Sequence, residues 1–178
     1  MPFSFRNATL EDREALVEVI ARSARGLSRE DYSEAQIEAA LGTAWGVDTE
    51  LIRDGTYFVV EAAGAIIACG GWSKRGTLFG GDAQAGRRSE LLDPSRDAAR
   101  VRAFFVCPEW ARQGVGRALL ERCEREARAH GFRSVELLAT LPGERLYRAF
   151  GYLAGERTMC PLAGGLGIDV VPMRKEIV

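Results

Sequence analysis

Histidine is all but missing from this chain of 178 residues, with His130 the single example. It falls in the last turn of a helix-like stretch, where a cation beside the helix end explains it without catalysis. Cysteine is sparse and scattered: Cys69, Cys107, Cys123 and Cys160 lie far apart with no CxxC spacing, which argues against a zinc site and against a disulfide framework. They read as reduced, mostly buried thiols. No apolar run approaches the length of a membrane span, and the opening Met1-Pro2-Phe3-Ser4-Phe5-Arg6 has no apolar signal core. A cytoplasmic protein that engages no membrane is expected. Charge of one sign is lacking too. The 24 lysines and arginines against 25 acidic residues leave a net charge of −1, so no global field favours nucleic acid. What is present is a 47% hydrophobic composition, enough for one domain over residues 1–178 with a continuous core.

Residues 100–131 organise the rest. A strand-like run ends in Phe104-Phe105-Val106. The turn Cys107-Pro108-Glu109-Trp110-Ala111-Arg112-Gln113-Gly114-Val115-Gly116-Arg117 follows, and then a helix with Val115, Leu119, Cys123 and Ala127 as an apolar stripe. Glu121 with Arg125, and Glu124 with Arg128, are spaced as ion pairs on its wet side, and Gly131 is placed to cap it. A strand that enters a helix through a basic, glycine-containing turn makes an anion site, because the first helical N–H groups have no intrahelical partner and the dipole is positive there. Gly114 and Gly116 allow close backbone approach, and Arg112 and Arg117 add charge. A P-loop is excluded by the absence of Gly-Lys-Ser/Thr. A dinucleotide-binding turn would require a third glycine where the chain has Leu119.

The segment resembles the signature of the GNAT superfamily of N-acetyltransferases, in which a strand ending in Val-x-Pro is followed by Arg/Gln-x-x-Gly-x-Gly/Ala opening a helix. Here these are Val106-Cys107-Pro108 and Ala111-Arg112-Gln113-Gly114-Val115-Gly116, with Ala111 where the family has arginine or glutamine. The family's closing motif is matched at Tyr147, Gly151 and Tyr152 in Leu146-Tyr147-Arg148-Ala149-Phe150-Gly151-Tyr152; its usual asparagine upstream is replaced by Thr140-Leu141-Pro142.

The element order fits the same resemblance. Residues 3–8 read as a strand. Thr9 and Asp12 open a helix whose Leu16, Val19, Ile20 and Ser23 face inward. Ser33 and Gln36 form a capping box for a second helix closed by Gly42; Tyr32 could line a substrate site, but a staple onto Ile37 explains it without function. Residues 55–61 and 65–72 form a hairpin around Ala63-Gly64. Residues 73–97 form a glycine-rich loop that leads into the organising strand and reads as a functional cover. Residues 133–140 are a buried parallel strand, Pro142 opens a short helix, and residues 152–158 and 168–177 read as final strands. The resemblance implies a mixed α/β fold of GNAT type, with a central mixed sheet flanked by helices.

It also implies acetyl-CoA as donor, with CoA as product. The pyrophosphate would lie on Gln113, Gly114, Val115, Gly116 and Arg117 with help from Arg112, and the pantetheine arm beside Phe105 and Val106 as a pseudo-strand. The family's oxyanion donor is the N–H of Val106. Tyr147 is the implied proton donor to the leaving thiolate. Cys107 has no histidine beside it to make it a nucleophile, so direct attack in a ternary complex is expected, without a metal. Trp72, Phe79 and Asp82 are the candidates for the acceptor side. The acceptor is a small-molecule or peptide amine, a homodimer is compatible with this reading, and the base is a carboxylate such as Asp82, Glu90 or Glu109, or water. A non-catalytic acyl-CoA-binding sensor is the alternative.

Overall fold

The computed structural model describes residues 2–178, so that Met1 of the opening segment lies outside it. Its elements are β1 (Ser4–Asn7), α1 (Arg13–Leu27), α2 (Glu34–Leu41), α3 (Thr49–Arg53), β2 (Tyr57–Ala62), β3 (Ala65–Ser73), β4 (Ala99–Val106), α4 (Val115–Ala129), β5 (Ser134–Thr140), α5 (Leu141–Ala149), β6 (Leu153–Ala154), β7 (Thr158–Pro161) and β8 (Gly167–Glu176). The strands form one sheet in the order β1-β2-β3-β4-β5-β8-β6, with β7 also on β8. Among the described residues only β4 and β5 pair in parallel. No helix among the described residues is long and apolar enough to cross a membrane.

Alternation along the strands builds two cores, one on each face. Phe58, Val60, Trp72, Val101 and Leu137 pack under α4 through Val115, Leu119 and Cys123, whereas Tyr57, Val59, Cys69 and Val170 pack under α1 and α2 through Leu16, Ile20 and Ile37. The expected caps form: Ser33 and Gln36 complete a capping box, and Gly131 has φ +90°. Two readings change. Glu124 is buried rather than on the wet side of α4, because Lys175 of β8 lies beside it and binds both its oxygens at 2.7 and 2.9 Å. Residues 152–158 are not one strand: β6 and β7 are separate pieces, each on β8. The helix α3, which lacks a strong periodic signal, is capped by Asp48 accepting the Leu51 N–H at 3.2 Å.

A β-bulge in β4 sets up the site. Cys69 faces Phe105 and Gly71 faces Arg102, so Gly70 opposes two residues, Ala103 and Phe104. Ala103 takes φ +53°, and its carbonyl accepts the Tyr57 hydroxyl at 3.0 Å. A side chain on Gly70 would overlap the Phe104 ring, so the bulge requires glycine opposite it.

Candidate active site

β4 and β5 pair only at Ala99 with Val135 and at Arg100 with Glu136. Beyond that they part, and the six residues from Val101 to Val106 leave a gap roughly 20 Å long at about 3.3 Å per residue. Cys107 donates to Ile67 O at 2.8 Å, so in the alternating antiparallel ladder the intervening Val106 turns its N–H and C=O away from β3, into the gap. The free backbone edge of β4 therefore ends at Val106 and runs directly into the turn before α4.

That turn is an N–H cradle. Arg112 has φ +63° and Gly114, the residue before the first turn of α4, has φ +83°; the next intrahelical bond is Ala118 N–H to Gly114 O at 3.0 Å. The N–H groups of Val115, Gly116 and Arg117 are left free for an anion. Gly114 is glycine because the left-handed conformation penalises any β-carbon. Gly116 is small for a different reason: a β-carbon there would lie 3.3 Å from Leu146 Cδ2 and 3.8 Å from Val106 Cγ2, at the mouth where α4, α5 and β4 converge.

The side chains expected around the cradle divide. Arg112 is exposed and makes no ion pair among the described residues. Arg117 is engaged: it bonds Glu121 at 2.8 Å and lies 5.4 Å above the Phe150 ring. Gln113 turns back to donate to Glu109 O at 2.6 Å, and Val115 is fully buried beneath the turn. Phe105 packs toward the α1 layer and Val106 toward α4.

Tyr147 approaches the gap from the α4 and α5 side. Its ring centroid is 6.4 Å from that of Phe104 and 5.6 Å from that of Tyr152, and its hydroxyl finds no hydrogen-bond partner among the described residues. Burial raises its pKa, so it is protonated at neutral pH. Burial likewise pushes up the Cys107 thiol, which is 1% exposed and suited to packing rather than nucleophilic attack.

The acceptor candidates do not come together. Trp72 is fully buried in the α4-side core, packed against Phe132 and His130, with Nε1 donating to Glu126 at 3.4 Å. It pairs with Val101 near the closed end of the sheet, so it cannot line the gap. Asp82 binds the N–H and hydroxyl of Thr49 at 2.9 and 3.0 Å, which anchors the loop at the start of α3. Phe79 packs into the α1-side core. The loop over residues 74–98 joins β3 and β4 at the paired end, not beside Val106, because it feeds the first residue of β4 and the gap opens at the last. It is also pinned. Arg75 grips Asp54 at 2.7 Å, and Gly80 O accepts from Arg102 at 2.6 Å and from Arg87 at 3.1 Å. Arg102 and Asp48 form a buried ion pair beneath it, extended by Arg87 at 3.1 Å from Asp48.

Two contacts go beyond the roles that sequence patterns give their side chains, an inward-facing position for Ser23 and a staple for Tyr32. Ser23 projects from α1 to the edge of β4, where its Oγ accepts the Val106 N–H at 3.2 Å. Its signal was a single polar residue in an otherwise apolar stripe. Tyr32 ties the α1–α2 connection to Leu141 and Asp169 across the sheet; no local pattern announces such a contact.

A family model described as the acetyltransferase (GNAT) family matches residues 16–152. Among solved structures, a GCN5-related N-acetyltransferase from Rhodopseudomonas palustris superposes with a TM-score of 0.73 at 18% identity, covering 99% of this chain and 96% of that one. The PaiA N-acetyltransferase of Thermoplasma acidophilum, in complex with coenzyme A, gives 0.67 at 16% identity over 99% of each chain. YncA of Salmonella typhimurium, a putative acetyltransferase with acetyl-CoA, gives 0.64 at 16% identity, covering 100% of this chain and 95% of that one. No curated protein sequence matches.

Proposed function

The chain belongs to the acetyltransferase (GNAT) family, and from that premise we propose that it transfers an acetyl group from acetyl-CoA to a primary amine by direct attack in a ternary complex. One observation carries this reading: the edge of β4 that β5 leaves unpaired runs at Val106 directly into the cradle of Val115, Gly116 and Arg117, the N–H groups that open α4. An extended arm bearing amides and ending in a diphosphate fits that continuous track, with the amides on the strand edge and the diphosphate on the helix. Complexes of two fold relatives with CoA and acetyl-CoA support the ligand class.

The Val106 N–H is placed to stabilise negative charge on the thioester oxygen. As the amine nitrogen bonds to the carbonyl carbon, the π pair moves to that oxygen; when it returns, the C–S bond breaks and the sulfur leaves with the electron pair. The proton lost by the amine goes to water or a carboxylate. Tyr147, protonated and without a partner among the described residues, is the proposed donor of a hydrogen bond to the departing sulfur. Because burial makes it a weaker acid than the parent thiol, near a pKa of about 8.5, any proton it passes to the thiolate must be replaced from water, which has taken up the proton lost by the amine. The raised Cys107 pKa favours direct attack over an acyl-cysteine intermediate.

Titration calorimetry with CoA, followed by thiol release from acetyl-CoA across a panel of small amines, amino acids and peptide N-termini, tests the proposal. Saturable CoA binding with amine-dependent thiol release is expected, and absence of CoA binding overturns it. A non-catalytic acyl-CoA-binding domain is the second reading, favoured by Ala111 in place of a polar side chain. Binding without amine-dependent release would select it.

A further inference from the structure

Ser23 is 5% exposed and shares the inner face of α1 with Leu16, Val19 and Ile20. Its neighbours hold α1 firmly over the end of β4: Arg22 bonds Glu109 at 2.6 Å, and Gly26 lies so close to Pro108 that a β-carbon would overlap the proline ring. The hydroxyl thereby reaches the one N–H of β4 that faces the gap at its mouth, and accepts it at 3.2 Å. A hydroxyl in or just after a helix often returns its proton to the carbonyl four residues back, as Thr43, past the end of α2, does to Ala39 at 3.0 Å. Ser23 makes no such bond, and no acceptor takes its proton among the described residues. A buried donor left unspent is costly. The side chains buried beside it on the inner face of α1, Val19, Ile20 and Ala24, are apolar, so the gap is where an acceptor for that proton can come.

Resting on the acetyl-transfer reading, we propose that the Ser23 hydroxyl is a second donor to the acyl oxygen, acting with the Val106 N–H from the α1 side of the gap. The present bond between the two is at the long end of the N–H···O range, so exchanging it for a carbonyl oxygen that both can reach sacrifices little. No bond to Ser23 forms or breaks. The oxygen gains charge as the amine attacks and returns it as sulfur leaves, and Ser23 keeps its proton throughout. Two converging donors, one backbone and one side chain, stabilise such an oxyanion more than either alone.

The test is isotope-edited infrared spectroscopy of acetyl-CoA labelled with carbon-13 at the thioester carbonyl, bound at saturation to wild type and to Ser23→Ala. Wild type should lower the carbonyl stretch below its value for the thioester free in water. Ser23→Ala should lose a large part of that shift while its CoA affinity, measured by calorimetry, stays within about threefold of wild type. Ser23→Cys, nearly isosteric and a weak donor, should lie between the two and serves in place of the alanine variant if that variant unfolds. A bound Ser23 variant with the full wild-type shift overturns the role of Ser23 alone, even if its melting temperature falls. Wild type that binds no CoA overturns the acetyl-transfer reading and this inference with it.

Discussion

The hydroxyl of Tyr32 accepts the N–H of Leu141 at 2.9 Å, 109 residues away in the chain, and it also donates to Asp169 O at 2.6 Å. One phenol thus joins the α1–α2 connection to the start of α5 and to β8. Tyr32→Phe leaves a buried N–H and a carbonyl without their partner, which should cost about 1–3 kcal/mol and lower the melting temperature by several degrees. Burial pushes this phenol up to about 12 from an ordinary 10.0. The unfolded chain therefore releases its proton first, so this contribution to stability is complete below about pH 10 and is lost as pH rises toward 12. In denaturant titrations wild type should therefore lose more stability between pH 10 and 12 than Tyr32→Phe does, the loss common to both coming from other buried phenols and thiols such as Tyr57 and Cys69.

Tyr147→Phe should leave stability almost untouched, since the hydroxyl it removes has no partner among the described residues. Turnover should nevertheless fall by roughly a hundredfold or more at unchanged CoA affinity, because the loss is confined to the transition state. Single-turnover kinetics, in which chemistry limits, would show an undiminished rate if Tyr147 takes no part.

The two arginines of the turn should differ. Arg112 is uncommitted, whereas Arg117 is held by Glu121 and Phe150. Arg112→Ala should weaken CoA binding and flatten its salt dependence, Arg117→Ala should do so less, and a pantetheine fragment without phosphate should bind independently of salt in all three proteins. Equal effects of the two substitutions, read by calorimetry at several ionic strengths, would contradict this ranking.

Asp48→Ala should be the most damaging of these substitutions. It leaves the Arg102 charge buried without its counter-ion, at a cost of about 3–5 kcal/mol. Chemical denaturation would reveal this as a shifted midpoint. Replacing residues 77–86 by a glycine-serine linker should also lower stability, because Gly80 O is then lost to Arg87 and Arg102, yet CoA affinity should be retained since the cradle lies on a separate turn.

The strand, turn and α4 were legible because their chemistry is local: an apolar stripe, a left-handed glycine and a Val-x-Pro stop are each written within a few residues. Leu16, Val19, Ile20 and Ser23 face inward for the same reason of period. Trp72 was misplaced because a residue at the end of a strand can serve either face or either end, and only the register with Val101 decides. The loop over residues 74–98 was misread as a cover for a related reason. Its composition suggests mobility, but its arginines find Asp48, Glu50 and Asp54, carboxylates of a distant helix whose positions no local pattern reveals. The part played by Ser23 was equally hidden, since a polar residue in an apolar stripe acquires meaning only from the strand opposite it.

The bulge at Ala103 means that β4 carries one more residue than the stretch of β3 it accompanies. Removing that residue would restore an even ladder yet leave Phe105 opposite Cys69 and Val106 opposite Ala68, on the faces they now occupy. What it would take away is the bend that a bulge imposes on its strand, together with the Ala103 carbonyl that holds the Tyr57 hydroxyl. A straightened β4 would diverge less from β5 beyond Arg100, so such a deletion should narrow the gap without misdirecting a single side chain along its edge.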